Sequence, residues 1–413
     1  MKKKKEDFIE EIFEDEKQSK NSNVKTYMFM KNSKKIDVSY KRLERIYKCG
    51  NIVKYAIDED EKKKKLLYTE TCDSRFCARC QKMKSVKTGQ KIFTITNFLK
   101  QEKNYDFIFI TLTVPNVKGE NLKEEIRKIN KAIDKMMKRK AYNQDVIKAF
   151  ITKIEVTYNR KRNDFHPHIH ILAAVNKGYF RKTNKNYIKQ EQLLKDWKDC
   201  KNDYSINQVD IRAIKNDDDK TLMKSILEIS KYEGKSSDYT FNQEVFEFYY
   251  NALKGVQMMR YNREYKSIAV IYDNDKYGIF HDYRLEIDEY GHFKTKVIGL
   301  WNFSDKDYIK YFEELTPGEM KFLNRETNYV SYSNFLKRKD TLEIQMNENL
   351  KEWQRFEDKL KIQSSKKGTR KTTIENTKNK IKKYKNRYKN DKALYQTYCE
   401  IENNYKDKFM KKK

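Results

Sequence analysis

Residues 149–175 read AFITKIEVTYNRKRNDFHPHIHILAAV. Two apolar, β-branched runs, AFITKIEVTYN and HPHIHILAAV, flank the polar segment Arg160 to Asp164, a pattern that predicts two antiparallel strands joined as a hairpin. Three of the chain's five histidines, His166, His168 and His170, fall on the second run. Alternate residues of a strand share a face, so the rings of His168 and His170 project side by side and can hold one divalent cation. The competing reading is a polar strand with hydrogen-bonded histidines, which leaves the clustering of so scarce a residue without a reason. Two imidazoles need a third ligand, and the paired strand is the place to look for it. With the turn centred near Arg162, Glu155 falls about opposite His168 and His170, and its carboxylate would complete a half-open site suited to Mg²⁺ or Mn²⁺. Alternatives stay open at that position: Glu155 paired with Lys153 on the same face, or His166 or a residue of a later helix as third ligand.

Upstream, YDFIFITLTVPN (residues 105–116) is a continuous apolar run stopped by Pro115 and reads as a buried strand. Ile126, Ile129, Ile133, Met136 and Met137 then recur at spacings of three and four, which predicts a helix over 121–140. Downstream, a helix is expected from Asp219 to Tyr232, with Leu222, Ile226 and Ile229 on its apolar face and Gly234 closing it. Glu228 and Tyr232 stand four apart on another face of that helix, with Lys231 and Lys235 beside them. One tyrosine among 30 carries little weight alone. The neighbouring lysines, which ease phenolate formation and hold phosphate, give Tyr232 its interest as a nucleophile. An ordinary amphipathic helix end fits the same residues equally well.

Four of six cysteines, Cys49, Cys72, Cys77 and Cys80, lie between residues 41 and 95. In a reducing compartment they ask for a metal rather than a disulfide framework, and four thiolates suit a tetrahedral structural Zn²⁺. The first 40 residues read as a charged arm, with a short helix marked by Phe8, Ile9, Ile12 and Phe13 and an extended remainder. Residues 266–318 read as a β-rich extension, from short runs such as SIAVIY and YRLEI, and residues 319–413 as a basic helical region.

A formal charge of +30 points to a polyanionic partner, nucleic acid first, although the lysine excess is also what an AT-rich genome would write. An aromatic share of 13% argues against disorder. No stretch approaches the roughly 20 apolar residues that cross a bilayer, so a cytoplasmic protein with no membrane partner is expected.

Together, ITLTVPN, FHPHIH and EISKYEGKSSDY, preceded by CDSRFCARCQ, resemble the motifs of the rolling-circle plasmid replication initiators of low-GC Gram-positive bacteria, in the HUH endonuclease superfamily. The resemblance covers roughly residues 45–265; KGVQMMRYN departs from the pattern, and the chain after about Tyr311 lies outside it. It implies an α+β catalytic fold over 96–265, a central antiparallel sheet flanked by helices; the zinc module read from the cysteines precedes it and the basic helical region read from composition follows it. It further implies His168 and His170 as metal ligands, Tyr232 as nucleophile and Glu228 as the acid partner of the terminating cleavage; Lys231 and Lys235, read from their charge beside Tyr232, are expected on the DNA. The activity implied is a nick in single-stranded or extruded origin DNA that leaves a 5′-phosphotyrosyl link and a 3′-hydroxyl primer, with a host helicase and polymerase as partners. A transposase or relaxase would use the same chemistry on another target, and a non-catalytic zinc-dependent DNA-binding regulator would need neither the histidine pair nor Tyr232.

Overall fold

The computed structural model describes residues 2–58, 63–181, 184–214, 219–231, 234–274, 280, 283, 293–323, 332–365 and 371–410. In chain order these form α1 (Lys2–Asn32), α2 (Tyr40–Lys48), β1 (Ile52–Asp58), β2 (Lys63–Thr69), α3 (Ala78–Glu102), β3 (Tyr105–Thr113), α4 (Leu122–Met136), β4 (Ile147–Asn159), β5 (Asp164–Asn176), α5 (Gln190–Lys201), β6 (Val209–Ile214) and α6 (Asp219–Ser230). There follow α7 (Ser236–Tyr239), α8 (Gln243–Leu253), β7 (Met259–Arg263), α9 (Glu264–Asn274), β8 (Thr295–Asn302), β9 (Asp307–Glu314), α10 (Pro317–Leu323), α11 (Tyr332–Ser365) and α12 (Lys371–Met410). The chain is a mixed α+β protein of two compact units, residues 1–263 with 284–326, and residues 264–283 with 327–413.

The first unit is built on a five-stranded antiparallel sheet, order β6-β3-β5-β4-β7. β5 lies at its centre, and its continuous apolar run reflects cover on both faces. Ile169, Ile171, Ala173 and Val175 share a core with Ile126, Ile129 and Ile133 of α4, Leu193 and Trp197 of α5, and Phe246 and Tyr249 of α8. Each fully buried Ile of α4 contributes about 1.5–3 kcal/mol, which explains why this charged segment folds as a helix only against the sheet. From the face carrying His168 and His170, α6 packs on β5 with Leu222, Ile226 and Ile229 buried. Pro167 is tolerated in this central strand for a local reason. Phe165 exchanges backbone hydrogen bonds with Val117, so Pro167, two residues on, faces the same side, where the β3 ladder has already ended at Thr113 opposite His168.

A second sheet, order β2-β1-β8-β9, joins strands far apart in sequence. Ile9, Ile12 and Phe13 of α1 pack on its Val53, Tyr55, Ile57, Val297 and Trp301. A side chain at Gly299 would strike the Phe13 ring at 2.1 Å, so the glycine permits this contact. The expected extended arm is thus corrected: one helix of 31 residues runs to Asn32. Its second half reads as polar because the face it buries carries Lys20, Asn23 and Thr26, whose Nζ, Nδ2 and Oγ1 each donate to a long-range partner.

SIAVIY is also corrected. It lies in α9, where Tyr265, Ile268, Ala269 and Ile271 are buried, a spacing that a helix satisfies and a strand does not. Beyond Tyr283, the run YRLEI lies outside the described residues. In the second unit α11 and α12 form a long antiparallel hairpin, in agreement with the basic helical end read from sequence. Among the described residues no helix is long and apolar enough to cross a membrane.

Candidate functional site

The β4–β5 hairpin turns over residues 160–163, and its register sets Glu155 opposite His168 and Lys153 opposite His170. Glu155, His168 and His170 converge, with Glu155 Oε2 3.5 Å from His168 Nε2 and 3.7 Å from His170 Nε2. A cation about 2.1 Å from each ligand would hold them about 3.0 Å apart in octahedral geometry or about 3.4 Å in tetrahedral. Each Glu155-to-histidine separation is therefore within about 0.7 Å of what one ion requires.

The protonation pattern fits as well. His168 Nδ1 lies 3.4 Å from the His166 carbonyl, an acceptor that suits a proton on Nδ1 and turns Nε2 toward Glu155. His170 Nδ1 is 3.3 Å from the Thr111 hydroxyl, and its ring stacks on Phe109. Among the described residues its Nε2 is buried without a hydrogen-bond partner, an arrangement that costs free energy unless something binds there. Burial pushes the Glu155 carboxyl up, but the two imidazoles beside it outweigh this and hold it well below the usual carboxylate range. His166 shares the strand, its ring 5.4 Å from that of His168, and is not part of the converging set.

Glu228 approaches from α6. Its Oε1 lies 3.6 Å from His170 Nε2 and its Oε2 2.5 Å from Lys231 Nζ, so one carboxylate spans the histidine cluster and an exposed ammonium. Tyr232 lies outside the described residues. The residues around it are placed: Lys231 pairs with Glu228, and Gly234 lies against β4, where a Cβ would stand 3.3 Å from the Val156 carbonyl. Lys235 is exposed at the start of α7.

Thr111 had no role in the sequence reading. The signal was available, since it lies on the strand before the histidines and the antiparallel register puts it opposite His170.

The four cysteines converge at the other candidate centre. Cys49 Sγ is 3.5 Å from Cys77 Sγ and 3.6 Å from Cys80 Sγ, and Cys72 Sγ is 3.7 Å from Cys80 Sγ. These separations are far above the S–S bond of about 2.05 Å, and near the roughly 3.8 Å between thiolates on a tetrahedral Zn²⁺. All four are buried. Hydrogen bonds from the other three pull the Cys80 thiol well below its ordinary value; Cys72 and Cys80 push Cys49 up against the opposing contact with Cys77, and all three neighbours push Cys77 up. Lys20 of α1 reaches the Cys49 and Tyr47 carbonyls and Asn51 Oδ1, and burial pushes its ammonium down to about 8. A buried cation beside a metal tetrathiolate would offset part of its negative charge.

Residues 63–309 match the family described as replication protein. A protein rep of Staphylococcus aureus is 37% identical over 203 residues, 49% of this chain and 86% of the relative. One from Lentilactobacillus hilgardii is 31% identical, covering 66% of this chain and 88% of its own, and one from Streptococcus pneumoniae is 29% identical, covering 65% and 83%. No solved structure matches the chain with significance.

Proposed function

Because the chain belongs to the replication protein family, we propose that it initiates rolling-circle replication of a plasmid by nicking single-stranded origin DNA with Tyr232. The observation that carries this reading is the buried, unpartnered His170 Nε2 facing Glu155 and Glu228 beside His168. Glu155, His168 and His170 would hold a divalent cation, Mg²⁺ or Mn²⁺, which when bound supplies Lewis-acid polarisation of a phosphoryl oxygen.

The chain's own groups do the rest. The Tyr232 oxygen attacks the phosphorus in line, the bond to the 3′-oxygen breaks, and the phenol proton ends on the departing 3′-hydroxyl. The 5′-phosphate remains on Tyr232, and the free hydroxyl primes a host polymerase behind a host helicase. Lys231 and Lys235 hold flanking phosphates. Glu228 acts later: with Tyr232 joined to DNA, its carboxylate removes a proton from a water that cleaves the regenerated origin site, and the 3′-hydroxyl so freed attacks the phosphotyrosine, closing the circle and returning its proton to the Tyr232 oxygen. Thr111 is a positioning residue that orients the His170 ring. Cys49, Cys72, Cys77 and Cys80 would hold a structural Zn²⁺.

Replacing His168 and His170 together by Ala tests the reading. Cleavage of a single-stranded origin oligonucleotide in Mg²⁺ or Mn²⁺ is expected to vanish while duplex binding, made by phosphate contacts elsewhere, persists. Nicking by the double variant at the native rate would overturn it.

A further inference from the structure

The hairpin of the second unit has a fixed seam. Leu342, Met346, Asn349, Trp353, Phe356 and Leu360 of α11 recur at spacings of three and four, as do Thr377, Ile381, Tyr384, Tyr388 and Asp391 of α12. Trp353 meets Tyr388 at 5.8 Å between ring centroids, and Phe356 stacks on Tyr384 at 5.6 Å. Two polar pairs lock the register, Asn349 Nδ2 to Asp391 Oδ2 at 2.7 Å and Thr377 Oγ1 to Gln363 Oε1 at 2.8 Å. Sliding or rotating either helix would leave these part-buried groups without partners, so the outward faces are fixed too.

Between Lys378 and Lys392, α12 carries eight Lys or Arg and one acidic residue, Asp391, which the seam occupies. Five of the eight, Lys378, Lys382, Lys385, Lys389 and Lys392, are spaced four, three, four and three apart and therefore form one stripe along the helix. All five are exposed. The ion pairs of the hairpin, Lys339 with Glu402, Arg355 with Glu352 and Lys361 with Asp358, involve none of them. Among the described residues none of the five has an ion-pair partner, Lys385 Nζ and Lys392 Nζ lying only over the Trp353 and Tyr388 rings at 5.1 and 5.9 Å, and five ammonium groups along about 21 Å of helix repel one another, a cost that a polyanion removes.

We propose that this stripe docks on the phosphate backbone of duplex DNA. A stiff, straight row of cations on one side of a rod matches the regular charge of a duplex, one negative charge per about 1.7 Å of axis. Single-stranded DNA is the poorer match, because its platforms use exposed aromatic rings, and the tyrosines of this segment are turned into the seam. The stripe reads no bases; it anchors the protein by counterion release. The proposal is independent of the histidine cluster and concerns binding alone.

The test compares three full-length chains: the native one, a variant with the five stripe lysines changed to Gln, and a variant with Lys380, Lys383 and Arg387 of the other flank changed to Gln. Affinity for a 30-base-pair duplex and for a 30-nucleotide single strand is measured between 50 and 200 mM salt, with circular dichroism to confirm equal helix content. Loss of the stripe is expected to flatten the duplex slope of log K against log salt by about 3 to 4.5, at about 0.9 per phosphate contact. The triple change should flatten it by under 1, and single-strand affinity should fall less than threefold in both variants. A slope change below 1 for the stripe, an equal change per residue on the other flank, or an equal loss on single-stranded DNA would overturn the proposal.

Discussion

The described residues hold two clusters of side chains that could ligate a metal, built in opposite ways. The four cysteines are buried, and the sulfur separations of 3.5, 3.6 and 3.7 Å suit four thiolates around one tetrahedral ion. The cluster of Glu155, His168 and His170 offers three ligand atoms, keeps an unpartnered nitrogen, and faces a partly exposed carboxylate on a separate helix. A closed set of four suits a metal that holds structure, and an open set of three suits one that must also meet a substrate.

The sharpest way to break this contrast is to exchange the expected phenotypes. Cys77→Ser should cost the protein its bound zinc and most of its cooperative unfolding, since structural zinc sites contribute on the order of 10 kcal/mol to folding. Metal analysis should give about one zinc per native chain and none for the variant, and thermal unfolding should broaden and shift down by more than about 10 °C. A zinc-free native protein would remove that half of the comparison.

Glu155→Gln should do the reverse. The chain stays folded, with its midpoint within a few degrees of native, while the Mn²⁺ concentration needed for half-maximal nicking rises about 10- to 100-fold. Nicking at native Mn²⁺ concentrations would remove Glu155 from the ligand set. A smaller effect is expected at Glu228. Its Gln variant should form the DNA adduct at a normal rate yet release terminated circles more slowly, by about 100-fold if general-base catalysis is its task. If Glu228 serves only its pair with Lys231, both steps stay unchanged, and the kinetics separate the two. Least of all, Lys231→Gln should alter stability by under about 1 kcal/mol, because its ion pair is exposed. The variant should still flatten the salt slope for single-stranded DNA by about 0.7. An unchanged slope would take Lys231 off the DNA.

The open cluster was more legible in the sequence than the closed one. In the β4–β5 hairpin the alternation of two and a short polar turn fix which residues face each other, so a turn near Arg162 was enough to place Glu155 opposite His168. The helix of Leu222, Ile226 and Ile229 followed from its spacing in the same way. The cysteines could be counted but not surrounded. Lys20, which reaches the Cys49 carbonyl, comes from a helix that reads as a polar arm because its buried face is itself polar. The second sheet was illegible for a related reason: β2 begins with Lys63, Lys64 and Lys65 at a sheet edge, and β1 finds its other partner, β8, more than 200 residues away. Local pattern carries a hairpin register; it carries no information on a pairing closed through the whole chain.

The central claim is that the open cluster serves a tyrosine that becomes joined to DNA, and Tyr232→Phe tests it most directly because it deletes the attacking oxygen and keeps the ring. Native protein incubated with a single-stranded origin oligonucleotide and Mn²⁺ should give a covalent adduct, which peptide mass spectrometry places on Tyr232, and the Phe variant should give none. An adduct at the native level in the variant, or a nucleotide carried by Tyr239 or any other residue, would contradict the account.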